Sequence, residues 1–381
     1  MGLYTRLVRP ALFSLDPEAS HAATIALCAG LGRVAPVRHA AEAMFASTDP
    51  RLACTCAGLT LRSPVGLAAG FDKNGAATAI TSRLGFGFIE VGSISERASA
   101  GNPKPRLWRL PQDEALRIHY GCPNEGAAAI AARLGRLEHP VPLGINLVET
   151  NDGVVATTEE VCGEMAAAAS AFSGIADYFT LNLACPNLPA SGRGHFADPR
   201  AIGLLLGSLP SGMPPTFLKI TPQSAANDPA EIDAILEAVS PFDFVAGFIL
   251  NIPVRDPPAA LPSSRALLER TRGGITGPCL LEPTLAAIDA WFARIDRARH
   301  VLIGTGGIRS GADAYRYIRH GASLVQLYTG LVYDGPGLVR RINGELAALL
   351  ARDGLATLAE AVGAAKLGDQ AADVVRGRVT A

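Results

Sequence analysis

The chain has 381 residues, 49% of them apolar and only 18% charged, and its 34 basic and 35 acidic side chains leave a net charge of −1. This length suits an α/β barrel with an extension, and the apolar share excludes a disordered chain. The even charge balance, with 6% aromatic residues, argues against a nucleic-acid partner.

The first forty-odd residues stand apart. Met1 to Leu15 mixes Leu3, Tyr4, Leu7, Val8, Leu12 and Phe13 with Arg6 and Arg9. Asp16-Pro17-Glu18 then reads as a helix start: a cap, a proline in the first turn and an acid beside it. An apolar, alanine-rich stretch follows over residues 22–31. Two short amphipathic helices are expected, either as a cap on the main domain or as a pair lying on a membrane surface. Asp16 and Glu18 interrupt any signal-peptide core, and the uncharged run 21–32 is too short to span a bilayer. Seven cysteines (Cys28, Cys54, Cys56, Cys122, Cys162, Cys185, Cys279) are an odd number, and no pair has zinc-ribbon spacing. A reduced, cytosol-facing protein without a metal site is expected.

From Pro64 onward, short β-prone apolar runs alternate with longer helix-compatible stretches. The runs are 65–69, 88–92, 142–146, 178–182, 217–220, 244–250, 301–304 and 324–328. Near-continuous apolar strands suit a parallel sheet buried on both faces. Eight such units predict an α/β fold, a (β/α)8 TIM barrel with an N-terminal helical extension. A doubly wound sheet is the alternative, but no G-x-G-x-x-G follows the first strand. The expected division is an extension over 1–45 and a barrel over 46–381.

Chemistry in such barrels sits at the C-terminal strand ends. Those ends carry Gly70-Phe71-Asp72-Lys73, Gly92-Ser93, Asn146, Asn182 with Ala184-Cys185-Pro186-Asn187, Lys219, Asn251, Gly304-Thr305-Gly306-Gly307 and Tyr328-Thr329-Gly330. The glycine turns after the seventh and eighth strands suit a phosphate held by backbone N–H groups. Asn146, Asn182, Asn187 and Asn251 suit the edges of a planar heterocycle. Lys219 inside an apolar strand needs an anion. Lys73 reads as a ligand contact or as half of an Asp–Lys surface pair. Cys185 reads as a base or nucleophile, or as an inert thiol, and Cys122 in Gly121-Cys122-Pro123-Asn124 competes for reactivity.

These motifs resemble the dihydroorotate dehydrogenases, FMN-containing barrels of pyrimidine synthesis. The likeness spans nearly the whole chain. It rests on Leu12-Phe13-x-Leu15-Asp16-Pro17-Glu18, Ala68-Ala69-Gly70-Phe71-Asp72-Lys73-Asn74-Gly75, Gly85-Phe86-Gly87-Phe88-Ile89-Glu90-Val91-Gly92-Ser93, Asn102-Pro103-Lys104-Pro105-Arg106 and Gln326-Leu327-Tyr328-Thr329-Gly330. The N-terminal motif resembles the quinone-linked, membrane-associated class. The resemblance implies an FMN-dependent oxidation of dihydroorotate to orotate, with quinone as acceptor. It implies a cytoplasmic location, peripheral on the cytoplasmic face of the inner membrane through residues 1–45. By the same resemblance, Ala69, Gly70, Ser93, Asn146, Asn182 and Lys219 match positions holding the isoalloxazine and ribityl parts of FMN. Gly277, Gly306, Gly307, Tyr328 and Thr329 match its phosphate side. Lys73, Asn182, Asn187 and Asn251 match contacts to the orotate ring or its carboxylate, and Cys185 matches the base that removes the C5 proton.

Four departures accompany the likeness. Cys185 stands where the quinone class usually has serine and the soluble classes cysteine. Ile118 stands where that class has a ring-reading asparagine. Leu250 and Ile252-Pro253 replace threonines around Asn251. Leu147-Val148-Glu149-Thr150 lacks the usual Gly-Lys. A flavin site is expected to be kept and a substrate site to be more apolar. Two further functions stay open: an FMN oxidoreductase of the same stock acting on a less polar substrate, and a non-catalytic FMN-binding barrel.

Overall fold

A computed structural model describes residues 2–183, 194–220, 228–251 and 261–366. Cys185, Asn187 and Ile252 lie outside the described residues. Eight parallel strands close a barrel: β1 (Val65–Leu67), β2 (Phe88–Ile94), β3 (Leu143–Leu147), β4 (Tyr178–Asn182), β5 (Thr216–Ile220), β6 (Val245–Asn251), β7 (Val301–Thr305) and β8 (Leu324–Leu327). Each pairs with the next, and β8 returns to β1. All eight expected runs form barrel strands.

Strand side chains alternate between two faces, so every barrel strand serves two environments. Ile89, Val91, Ile145, Phe179, Leu181, Leu218, Phe248, Leu302 and Val325 join the large core shared with the surrounding helices. Phe88, Tyr178, Phe217, Ile249, Ile303 and Leu324 form a separate cluster inside the barrel. The hairpin Cys54–Cys56 and Leu59–Leu61 adds Cys56 and Leu61 to that inner cluster and closes the lower mouth. The inner rings meet edge to face, with centroids 6.2 Å apart for Phe88 and Tyr178 and 5.6 Å for Tyr178 and Phe217. Gly144 makes room for this plug, because a Cβ there would overlap the Tyr178 ring. Two residues further along the same strands, the inward groups turn polar: Glu90, Asn146, Thr180, Lys219 and Gln326 are all buried. The upper mouth is therefore the polar one.

The N-terminal region holds three helical segments rather than the expected two: Tyr4–Val8 running into Arg9–Phe13, then Pro17–Gly32, then Ala35–Phe45. Asp16 caps the second by accepting from Ala19 N at 2.9 Å. The third was not expected; Pro36 occupies its first turn, where the missing N–H costs nothing. Polar contacts hold this region to the barrel at its perimeter. Arg106 donates to Glu18 at 2.8 Å, Tyr4 to Val332 O at 2.8 Å, Arg62 to Glu42 at 2.8 Å and Arg340 to Met44 O at 2.9 Å. Leu3, Leu7, Val8, Leu15, Leu27, Leu31, Val34 and Met44 stay exposed. No helix among the described residues is long and apolar enough to cross a membrane. A three-stranded antiparallel sheet, Leu107–Leu110, Ala115–Ile118 and Gly274–Thr276, stands beside the barrel and was not expected.

The plug makes a stability claim. Gly144→Ala should lower the urea midpoint by the equivalent of about 1–3 kcal/mol, the usual cost of overpacking a dense core. Gly163→Ala, on the exposed face of helix Thr158–Ala171 with open space around it, should be neutral or stabilising. Equal midpoints for the two variants would remove Gly144 from the argument.

Candidate functional site

A cavity of about 190 Å³ lies at the C-terminal ends of the strands. Ala69, Gly70, Ser93, Asn182, Lys219, Gly277, Gly306, Gly307, Tyr328 and Thr329 line it, as do Lys73 and Asn251. Asn146 stands behind this wall, opposite Gly92 in the β2–β3 register. The structure thus gathers every described candidate around one cavity or directly against its lining.

The ring-sized end is built on β1 to β5. Asn182 Nδ2 donates to Ser93 Oγ at 3.0 Å. Asn146 is fully buried, and its Oδ1 has no hydrogen-bond partner among the described residues. A buried acceptor left bare is costly unless a ligand N–H meets it. Lys219 is buried and has no carboxylate partner among the described residues. A buried cation without an anion is likewise a site waiting for one.

The opposite end is built from backbone. Gly277, Gly306 and Gly307 have φ values of 133°, 109° and 75°, a region that side chains disfavour. At Gly306 and Gly307 a Cβ would come within 2.9 Å of Leu280 and 2.8 Å of Leu281 N. The Thr276 and Thr329 hydroxyls pair here at 2.9 Å. Arg309 also lines the cavity, but its guanidinium is engaged by Asp334 at 2.8 Å and by Glu114. The fit is to a long ligand with a planar hydrogen-bonding end and an anionic end.

Lys73 projects into the same cavity from the loop after β1. It is not half of a surface pair: Asp72 is buried and accepts from Ala76 N at 3.0 Å and Ala77 N at 2.6 Å. The Lys73 ammonium sits 4.1 Å from the Tyr120 ring centroid and 3.4 Å from His21 Nε2. Burial first, opposed by the charges of Glu18 and Asp72, brings its pKa down to about 8. His21 is pushed down to about 3 by burial and then by Lys73, so its imidazole is neutral near pH 7. Cys122 lines the cavity too.

Two substrate-side expectations are resolved. Ile118 does face the cavity, at the end of strand Ala115–Ile118. Leu250 does not: it is fully buried in the outer core, because its place in the β6 alternation turns it toward the helices. Its apolar character is a packing requirement and alters nothing at the rim. Thr305, expected at the end of the seventh strand, lines the cavity; Thr276 and Tyr120 were missed, and the glycines flanking Ile275-Thr276 were the signal for the first.

A second cavity, about 890 Å³, lies between the N-terminal helices and the barrel. Its walls are apolar, with Leu12, Phe13, Leu27, Leu31, Val37 and Ala41 facing Leu67, Ile80, Leu84 and Phe86. Tyr328 lines both cavities. Phe71 packs edge-on against Tyr328 at 5.7 Å and against His21 at 5.6 Å, so three rings form the partition. Arg109 also lines this cavity, donating to Leu15 O at 2.9 Å. The resemblance pointed to residues 1–45 as a membrane- or quinone-facing module; the apolar space beneath them was not foreseen.

The comparisons agree with this architecture. A family model described as dihydroorotate dehydrogenase matches residues 51–350. A protein of Acidithiobacillus ferrooxidans named dihydroorotate dehydrogenase (quinone) is 40% identical over 94% of this chain and 98% of its own. A protein of the same name from Rhodospirillum rubrum is 39% identical over 96% and 95%. The ligand-free type DHODH of Eimeria tenella superposes with a TM-score of 0.76 at 28% identity, covering 92% of this chain and 99% of its own. The chain belongs to the dihydroorotate dehydrogenase family, flavin-dependent oxidoreductases acting on a CH–CH donor.

Proposed function

We propose that this chain oxidises dihydroorotate to orotate with FMN as resident cofactor and a quinone as electron acceptor. The observation that carries the cofactor is that Asn146 Oδ1, a buried acceptor, and Lys219, a buried cation, both lack partners among the described residues, in a cavity whose far end is backbone N–H and hydroxyl. Ala69, Gly70, Ser93, Asn146, Asn182 and Lys219 would hold the ring and ribityl chain. Gly277, Gly306, Gly307, Tyr328 and Thr329 would hold the phosphate side. FMN, when bound, supplies a two-electron acceptor for the substrate hydride.

The protein's own groups then do three things. Lys73 binds the substrate carboxylate, with Asn182, Asn187 and Asn251 reading the ring. Cys185 takes the C5 proton; a thiolate is a competent base near neutrality. The partition of Phe71, Tyr328 and His21 keeps the polar cavity apart from the apolar one. The apolar cavity, with exposed leucines on the helices around it, supports residues 1–45 as a quinone-facing module on a membrane surface and 46–381 as the barrel. Ile118 in the cavity wall favours one second reading, a less polar substrate of the same reaction type.

Anaerobic mixing with dihydroorotate should bleach the flavin. Absence of bleaching at millimolar substrate would favour the second reading. Cys185→Ala should slow bleaching by roughly 10²–10⁴-fold with the flavin retained, the usual contribution of a general base; an unchanged rate would remove Cys185 from the mechanism.

Lys73 must be charged to hold a carboxylate and has its pKa near 8 in the free protein. kcat/KM for dihydroorotate should therefore fall as pH rises through about 8. Lys73→Arg should displace that limb upward; a limb that stays would assign it to another group.

Ala41→Trp, which fills the apolar cavity, should raise the quinone KM at least tenfold and leave flavin reduction by dihydroorotate unchanged. Equal losses in both half-reactions would argue against a separate quinone site.

A further inference from the structure

One buried group has no place in the mechanism above. Glu90 is fully buried, on β2, facing the barrel interior one layer above the aromatic plug. Its carboxylate accepts from Asn146 Nδ2 at 2.8 Å, Thr180 Oγ1 at 3.0 Å and Gln326 Nε2 at 2.8 Å. All three are neutral donors, which is the pattern an ionised carboxylate demands. No lysine, arginine or histidine pairs with it among the described residues. The Tyr178 phenol beside it is held well above its ordinary range, by burial first and then by Glu90.

Stability alone does not account for such a group. Below it the same interior is filled with Phe88, Tyr178, Phe217 and Leu324. A buried carboxylate with no cation in contact among the described residues is a poorer filler than any of these. What the carboxylate does is dictate orientation. An amide oxygen turned toward it would be repelled, so Asn146 must present its nitrogen to Glu90. That leaves Oδ1 on the far side, bare and buried. On the opposite flank, Gln326 gives its nitrogen to Glu90 and accepts from Thr305 Oγ1 at 3.1 Å, and Thr305 lines the cavity. The network thus runs from Thr305 through Gln326 and Glu90 to Asn146, beneath the cavity.

We propose that Glu90 is a positioning residue for the flavin: it locks Asn146 with its carboxamide oxygen free for a cofactor N–H, and its fixed negative charge lowers the reduction potential of the bound ring. This rests on the flavin reading above. A negative charge near the ring opposes electron uptake, and low surrounding dielectric magnifies the effect.

The experiment uses the purified full-length holoprotein. Glu90→Gln keeps the shape and removes the charge. The flavin midpoint potential should move to a more positive value, and the flavin dissociation constant should rise at least tenfold. Glu90→Asp keeps the charge but shortens the reach to Asn146, so it should loosen the flavin while leaving the potential near that of the parent protein. Should Glu90→Gln not fold, Thr180→Val removes one donor from the carboxylate without touching the cavity. Its potential should shift in the opposite, negative direction. Unchanged potential and flavin affinity in Glu90→Gln, with only the urea midpoint lowered, would reduce Glu90 to a structural group and overturn the proposal, as would a positive or absent shift in Thr180→Val. A parent protein that holds no flavin would instead sink the flavin reading.

Discussion

Closure of eight strands into a barrel forces each strand to send alternate side chains into a space only wide enough for side chains to fill. Everything else in the molecule follows from how that space is filled. The lower layer is aromatic and aliphatic, and the hairpin Cys54–Cys56 with Leu59–Leu61 seals it. With the lower mouth closed, the polar residues of the next layers have one way out. Glu90, Asn146, Thr180, Lys219 and Gln326 therefore act as a floor, and Asn182, Asn251 and Thr305 as the rim above it. Gly144 in the lower layer is as much a part of this as the ligand-facing groups, because without it the plug could not seat.

The N-terminal helices are attached on a different principle. Their polar contacts to the barrel run around the edge, through Glu18, Tyr4, Glu42 and Met44 O. The centre is left apolar and open. A space of this size with apolar walls is poorly wetted and accepts an apolar ligand at little desolvation cost. Tyr328 belongs to both cavities, so a group bound in one lies a single ring away from the other. His21 completes that partition as a neutral imidazole, which keeps a second positive charge away from Lys73.

Much of this was legible in the sequence, for a physical reason. Strands buried on both faces must be continuously apolar, so all eight stood out, and their polar C-terminal ends named most of the cavity lining. What was not legible depends on strand parity and on long-range pairing. Leu250 and Asn251 are neighbours in sequence, yet one faces the helices and the other the cavity. Glu90 lay inside an apolar run, and its role depends on Gln326, 236 positions away. The side sheet joins Ala115–Ile118 to Gly274–Thr276, a contact that no local pattern announces. The helix Ala35–Phe45 has Pro36 in its first turn and no side-chain cap, so no cap residue announces it in the sequence.

The low charge content of the chain now has a sharper meaning at the site. Among the described residues the cavity lining contains Lys73, Lys219 and Arg309 and no carboxylate. Arg309 is neutralised by Asp334 and Glu114, so among the described residues Lys73 and Lys219 are the lining cations left to meet a ligand. Ile118 removes at most one neutral hydrogen bond from the wall, a loss of order 1–3 kcal/mol where a ligand group is left bare. A charge-assisted bond to the partly desolvated Lys73 ammonium contributes roughly 1.5–3 kcal/mol. Lys219 serves the cofactor ring in this reading, so Lys73 is the group that calls for an anionic substrate, while Ile118 adjusts which edge of it can be polar. A less polar substrate would still have to satisfy Lys73, and for that reason dihydroorotate, whose carboxylate does so, remains the better fit to this wall.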